Sequence, residues 1–306
     1  DARAPRAARP PSAPSGSGGI TRVYNLRYHI ASLVSVFLAL AVGLVLGTVV
    51  VERCMLDAQK TTLVGSLTKD FQSISAENKT MRTEVEAVRG FSDATVAYMV
   101  DGKLRGRTVV LLTTPARSDA LAAAQGAVKA AGGVAAVVTL REEHAGLEDA
   151  ATAERARSLT RSRDVTDTGE LESRIASALA AEWTGEGDRP ATEMLKSVGA
   201  MSVEGLPAGV AVAGVVLVAS SEATVEPVAL EIAIAAAARG VPAVGVEVTG
   251  QETRAADAAS EAGLAAVDHA DLPDGLLSLV WTLAEGAKGH YGLDKGATAR
   301  FPELRR

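Results

Sequence analysis

The sequence contains little cysteine, few aromatic residues and no excess of basic charge. One cysteine occurs among 306 residues, so no disulfide can form within the chain. Aromatic residues make up 3% of the chain, whereas apolar residues make up 47% and are mostly alanine and valine. The formal net charge is −6 and the sequence pI is near 5.4. No broad basic surface is implied, which argues against nucleic acid as a partner.

The residue patterns of nucleotide-binding, hydrolytic and zinc sites are also missing. The four histidines are scattered, and neither His-x-x-x-His nor Cys-x-x-Cys spacing occurs. The sequence has no Gly-x-Gly-x-x-Gly or Gly-x-x-x-x-Gly-Lys loop, and no serine lies in a Gly-x-Ser-x-Gly elbow. We therefore predict that the protein is not an enzyme and that it requires no cofactor.

Two polar pairs at predicted strand ends are weak candidates for a site, because open α/β sheets bind ligands there. Ser220 and Ser221 precede a predicted helix, and we interpret them as helix-capping residues. Asp268 and His269 follow the last predicted strand. We interpret them as an exposed loop pair, with a catalytic Asp–His pair as the alternative.

Soft side chains that suit Cu(I) are few. Cys54 and Met55 are the only adjacent pair, whereas Met194 and Met201 are seven residues apart and are interpreted as core residues. Cys54 lies three residues after an uncharged segment at 30–51 that is long enough to span a membrane. There it would form either a bridge between two chains or a free thiol.

One long uncharged segment contrasts with the rest of the chain. Residues 30–51 carry no charge and are numerous enough to cross the hydrocarbon core of a membrane as a helix. No small-residue cleavage site follows them, so an uncleaved transmembrane anchor is predicted rather than a signal peptide. The preceding residues 1–29 are rich in Pro, Ala, Gly and Ser, and we predict a disordered tail.

The charges on either side of the anchor predict its orientation. Five arginines and one acid precede it, whereas acidic and basic residues alternate after it. Because Lys and Arg are enriched on the cytoplasmic side, the N-terminus is predicted to be cytoplasmic and the C-terminal domain extracytoplasmic.

Small residues recur every four positions along the anchor. They are Ala31, Ser35, Ala39, Gly43 and Gly47. A face of small side chains lets two helices approach closely in lipid, and it predicts a dimer contact. Chance is the alternative, since such residues are common in membrane helices.

Residues 52–90 show a seven-residue apolar repeat typical of a coiled coil. Its a positions are Val64, Phe71, Asn78 and Val85, and its d positions are Leu67, Ile74, Met81 and Val88. A buried asparagine at an a position favours a parallel, in-register dimer. A single amphipathic helix packed on the following domain is the alternative. Gly90 is the predicted end of the helix.

The remaining chain alternates apolar strands with Ala-rich helices. Continuous apolar runs over 108–112, 134–140, 210–220, 241–248 and 264–268 indicate buried strands. This alternation predicts a Rossmann-like parallel α/β domain over residues 91–288. Residues 289–306 are predicted to be an irregular tail.

Two end segments carry a family resemblance. The sequences "NLRYHIASLVSVFLALAVGLVLG" over 25–47 and "GHYGLDKGATARFP" over 289–302 resemble the two ends of the actinobacterial copper transport protein B family, which is also described as the cell-separation protein SteB family. The resemblance covers about residues 24–302, although its middle part matches in architecture only.

The resemblance implies two functions of different kinds. The first is copper efflux or homeostasis in the envelope, with copper as a ligand implied by the resemblance alone. The second is a non-enzymatic dimeric scaffold that docks another envelope or membrane protein and controls cell separation. Both readings place the protein in the cell membrane, in contact with lipid. The resemblance transfers no metal ligand to a position of this chain.

Overall fold

A computed structural model describes residues 26–115, 118–185, 187–219, 225–250 and 254–304, with the backbone alone for residues 49–62. The predicted tail over residues 1–29 lies almost wholly outside these ranges. Two compact units divide the chain between residues 80 and 81, and each is described by itself.

The first unit is formed by helix α1, which runs from Leu26 to Val100 and continues into the second unit. Its segment Leu26–Thr48 is long and apolar enough to cross a membrane, and none of it is buried within the protein. The predicted anchor at 30–51 therefore lies within a longer helix. Gly90 does not end that helix, contrary to our prediction, because one glycine costs a long helix only about 1 kcal/mol.

The second unit contains a seven-stranded sheet. Its strands are β1 (Thr108–Thr113), β2 (Val134–Leu140), β3 (Met201–Glu204), β4 (Val212–Val218), β5 (Ala243–Val246), β6 (Ala265–Val267) and β7 (His290–Tyr291). Their order is β3-β2-β1-β4-β5-β6-β7. All neighbours are parallel except β2 and β3, which are antiparallel. The apolar runs predicted a parallel sheet. The observed sheet is mostly parallel, with one antiparallel pair at its β3 edge.

Helices cover both faces of the sheet. They are α2 (Asp119–Ala130), α3 (Glu142–Ala145), α4 (Ala150–Thr160), α5 (Thr168–Thr184), α6 (Pro190–Ser197), α7 (Pro227–Ala238), α8 (Ala255–Glu261) and α9 (Pro273–Glu285). One core cluster joins the sheet to α4, α5, α6 and α7. The other joins it to α2, α9 and the last turns of α1, where Val96 and Val100 are buried.

The apolar runs predicted the central strands well and the edges poorly. Strand β1 is wholly buried, whereas β2 has buried residues at alternate positions; the observed bounds of both agree with the predicted runs to within one residue. Strand β3 was not predicted because its four residues include two polar ones. The tail over 289–306 is not wholly irregular, since His290 and Tyr291 pair with β6.

Candidate functional site

The five small residues of the anchor all lie on α1 and are exposed. Ser35 donates its hydroxyl hydrogen to the Ala31 carbonyl at 2.8 Å. A Cβ added at Gly43 or Gly47 would meet no atom within 4 Å. The stripe is therefore uncovered in the single chain, and its role in a dimer stays a prediction.

The heptad residues are likewise exposed. The seven apolar ones have between 55% and 74% of their surface accessible. Asn78 lies on the same helix and donates its amide to the Ile74 carbonyl at 2.9 Å. The single helix thus leaves its apolar seam open to water, and the coiled coil also stays a prediction.

Met194 and Met201 of the second unit are withdrawn into its core. Met201 is 5% exposed, and Met194 packs against the same core cluster, as we predicted. Within the residues described, no group of three or more His, Cys, Asp or Glu side chains could hold a metal ion. The side chains of Cys54 and Met55 lie outside the described residues.

The carboxyl end of β6 carries a buried aspartate with four polar neighbours. Asp268 accepts the backbone N–H groups of Leu293 at 2.8 Å and Asp294 at 3.1 Å. Its two oxygens also lie 3.1 Å from His269 Nδ1 and 3.1 Å from His290 Nε2. We predicted that Asp268 and His269 form an exposed loop pair. That prediction is wrong, because their side chains are only 1% and 0% exposed.

The "GHYG" segment at 289–292 is shaped around that aspartate. A Cβ at Gly292 would lie 1.9 Å from Asp268 Oδ1, so no larger residue fits there without displacing the carboxylate. His290 also accepts the Thr298 hydroxyl at its carbonyl, at 3.0 Å. The distinctive end motif thus folds the C-terminal segment against the edge of the sheet.

A second acid extends this network to the surface. His269 Nε2 has no hydrogen-bond partner among the described residues and lies 3.5 Å from Asp274 Oδ2. Burial alone would raise the pKa of Asp274, but its hydrogen bond to Arg300 and the charge of His269 hold that pKa below its usual range. Both histidines and Asp268 are buried, and Asp268 holds the C-terminal segment through the backbone N–H groups of Leu293 and Asp294.

An acidic cleft lies beside this network at the end of β5. It has a volume of about 390 Å³, and Asp257, Asp294 and Arg254 are among its lining residues. Glu247 at its base accepts the Ala256 N–H at 3.0 Å. Burial raises the pKa of this carboxyl. Thr249 and Gly250 border the cleft, and Asp271 accepts both the backbone N–H and the hydroxyl hydrogen of Thr249.

A second histidine–carboxylate pair lies beyond β2. Glu143, His144 and Ala145 have φ values of 62°, 60° and 50°, so α3 is a left-handed turn rather than a regular helix. His144 Nδ1 is hydrogen-bonded to Glu172, which raises the pKa of the imidazole. Glu226 accepts the Ala145 N–H at 2.8 Å, and burial raises the pKa of Glu226.

This pair could not be predicted from the sequence, because Glu172 lies 28 residues beyond His144. The predicted turn after β4 is mostly outside the described residues, including Ser220 and Ser221. Ala219, the residue that follows β4, is described. Its carbonyl accepts the hydroxyl hydrogen of Ser118 at 3.1 Å, and Ser118 in turn caps α2 by accepting the Leu121 N–H.

Comparisons with known proteins match most of the chain to one family. The family described as "Copper transport outer membrane protein, MctB" matches residues 23–302. The proteins named "Copper transporter MctB" from Mycobacterium tuberculosis and Mycobacterium bovis are each 33% identical over 140 residues. That match covers 45% of this chain and 43% of each relative. No solved structure matches the chain.

Proposed function

This chain belongs to the MctB family, and on that basis we propose that it takes part in copper homeostasis in the cell envelope. The observation that carries the proposal is the family match, which spans both the apolar helix and the C-terminal motif. The names of the curated relatives support it, although the match covers less than half of their length.

The single apolar helix limits how copper could cross a membrane. An ion needs a lined polar path, which one helix does not provide. The polar groups of Ser35 and Thr48 are already bonded to carbonyls of the same helix, at 2.8 and 3.0 Å. We therefore propose that the protein acts in an assembly, either of several copies or with a separate channel.

The chemistry of Cu(I) directs attention to the start of the extramembrane segment. Thioether and thiolate sulfur suit this ion, and Met194 and Met201 are taken up by the core. Cys54 and Met55 are the only adjacent pair of such residues in the sequence, and we propose them as candidate ligands.

A dimeric scaffold is the second candidate function, and the open heptad seam favours it. Burying a Val, Leu, Ile, Phe or Met side chain fully is worth about 1.5–3 kcal/mol, and seven such side chains are exposed. We propose that a second copy covers this seam in parallel and that the cytoplasmic side holds the N-terminus. The α/β unit would then be a Rossmann-like head, without catalytic function, that docks an envelope protein and controls cell separation.

Copper binding is tested by titrating the 306-residue chain in detergent with Cu(I) against a competing chelator. We expect stoichiometric binding that is lost in the double variant Cys54→Ser, Met55→Leu. The matched control is Met194→Leu, a volume-conserving change in the core, which should bind as the unchanged chain does. Failure of the unchanged chain to compete with the chelator would refute direct copper binding and leave the scaffold proposal.

Dimer formation is tested on the same material by light scattering. The mass should be that of two chains, and the variant Leu67→Lys should give one chain because it places charge in the seam. A single-chain mass for the unchanged protein would contradict the dimer without affecting the copper result.

A further inference from the structure

Four consecutive residues between β2 and α4 have a left-handed backbone. The φ values are 62° at Glu143, 60° at His144, 50° at Ala145 and 71° at Gly146. Only glycine enters this region freely, because the Cβ of any other residue approaches the backbone too closely. Three of the four residues are not glycine, so the turn is strained. Such strain persists only where the surrounding structure holds it, and it is concentrated at switches and binding sites.

Contacts from two other elements hold the strained turn. His144 Nδ1 is hydrogen-bonded to Glu172 of α5, whose side chain is only 7% exposed. Glu226, a buried residue immediately before α7, accepts the Ala145 N–H at 2.8 Å. Ala145 is itself fully buried in the core. Two glutamates that are distant in the sequence therefore fix the hand of this turn.

One of these two contacts depends on a proton. The side chain of His144 is 38% exposed and can exchange its proton with water, whereas Glu172 is buried behind it. The hydrogen bond to Glu172 raises the pKa of His144, against a smaller opposite effect of burial. While His144 is protonated, it is the counter-ion of Glu172. When the proton leaves, the buried carboxylate keeps only a neutral partner, which is costly.

Acids predominate around the imidazole. Glu148 Oε1 lies 3.7 Å from His144 Nε2. Arg141 is a base of the same segment, and its guanidinium lies against Gly146, where a Cβ would meet Arg141 Nη2 at 1.9 Å. The charges that raise the pKa of His144 are those of Glu172, Glu148 and Glu226, and its own segment also carries the exposed acids Glu142 and Glu143. Loss of the histidine proton therefore adds to an excess of negative charge.

We propose that residues 142–146 form a pH-sensitive latch. With His144 protonated, the turn is held left-handed against Glu172. Loss of that proton releases the turn, and the strain at its three residues other than glycine drives the backbone towards ordinary conformations.

Release of the latch changes one edge of the sheet. It withdraws the Ala145 N–H from Glu226, where α7 begins, and it frees the segment that directly follows β2. This is the carboxyl end of the parallel strands, at which open α/β sheets bind ligands. The latch is independent of copper and of dimer formation, so it stands or falls separately from the proposed function.

The test is hydrogen exchange of the 306-residue chain in detergent, measured by mass spectrometry on the peptide that spans residues 141–149. The protection factor is compared, because it corrects for the effect of pH on exchange itself. Between pH 6 and pH 9 we expect it to decrease by about fivefold to tenfold, since a charge-assisted hydrogen bond is replaced by a neutral one. In His144→Gln the protection factor should be low at both pH values.

The contribution of strain is tested separately with glycine. Glu143→Gly relieves the left-handed backbone at an exposed residue, so the turn should stay left-handed at pH 9, with about fivefold more protection than in the unchanged chain. The matched control is Glu142→Gly, which removes the same charge from the neighbouring residue, whose φ is not positive. That variant should show the same decrease with pH as the unchanged chain.

A second control is Lys196→Gln, which removes a cation from an exposed ion pair with Glu193 and should leave the pH profile of the peptide unchanged. Strand β1 is the internal reference, since exchange of a buried central strand reports opening of the whole domain. Four results would overturn the proposal: protection of 141–149 that does not change with pH, a decrease that persists in His144→Gln, equal behaviour of the two glycine variants, or an equal loss of protection in β1.

Discussion

Replacing Gly292 with alanine tests the most tightly fitted contact in the molecule. The added Cβ would lie 1.9 Å from Asp268 Oδ1 and 2.0 Å from its Cγ, much closer than any real contact. Asp268 cannot move aside cheaply, because two backbone N–H groups and two histidines hold it. Breaking such a buried charged network costs about 3–5 kcal/mol.

The assay is thermal unfolding of the 306-residue chain in detergent, followed by the near-ultraviolet signal of Trp183 and Trp281. In a domain of this size 1 kcal/mol shifts the melting temperature by about 2–4 °C, so we expect a decrease of about 6–20 °C. The control is Gly126→Ala in α2, where a Cβ would meet no atom within 4 Å. That variant should gain up to about 1 kcal/mol of helix propensity. A melting temperature for Gly292→Ala within 2 °C of the unchanged chain would refute the reasoning.

Three further predictions concern other charged and polar side chains. Asn78→Leu should strengthen self-association, and ultracentrifugation in detergent should show a smaller fraction of single chains; a larger fraction would contradict the a-position assignment. The pKa of His144 is raised by Glu172, so its stabilising effect is complete below about pH 6.5 and is lost as the pH rises through the raised value. His144→Gln should therefore lower the melting temperature more at pH 5.5 than at pH 9, and an equal decrease at both would rule out the ion pair. Burial raises the pKa of Glu247, so the folded state keeps this proton to a higher pH than the unfolded state does, and stability decreases as the pH rises above about 4.5. This decrease should be smaller in Glu247→Gln. An unaltered pH profile of the melting temperature would exclude the effect.

The sequence was informative where one residue type repeats along a whole element. The strand around Val110 was predictable because every residue from 108 to 113 is buried, and buried strands are continuous apolar runs. The apolar helix was predictable for the same reason, since length and absence of charge decide it.

Features that depend on one distant partner were not predictable. Asp268 looks like a surface residue because aspartate usually is one, and its burial depends on donors more than 20 residues further along the chain. The left-handed turn at His144 depends likewise on two buried glutamates from other elements. Gly90 was misjudged for the opposite reason, since its neighbours on both sides favour the helix and outweigh one glycine.

The two outermost strands of the sheet have a consequence for how copies of this protein can meet. Strand β3 at one edge has four residues and strand β7 at the other has two. A long, flat edge would offer unpaired N–H and C=O groups to another chain, and short edges remove that template. Two copies that meet edge to edge find little backbone to pair with, which disfavours the growth of this Ala- and Val-rich sheet into fibrils.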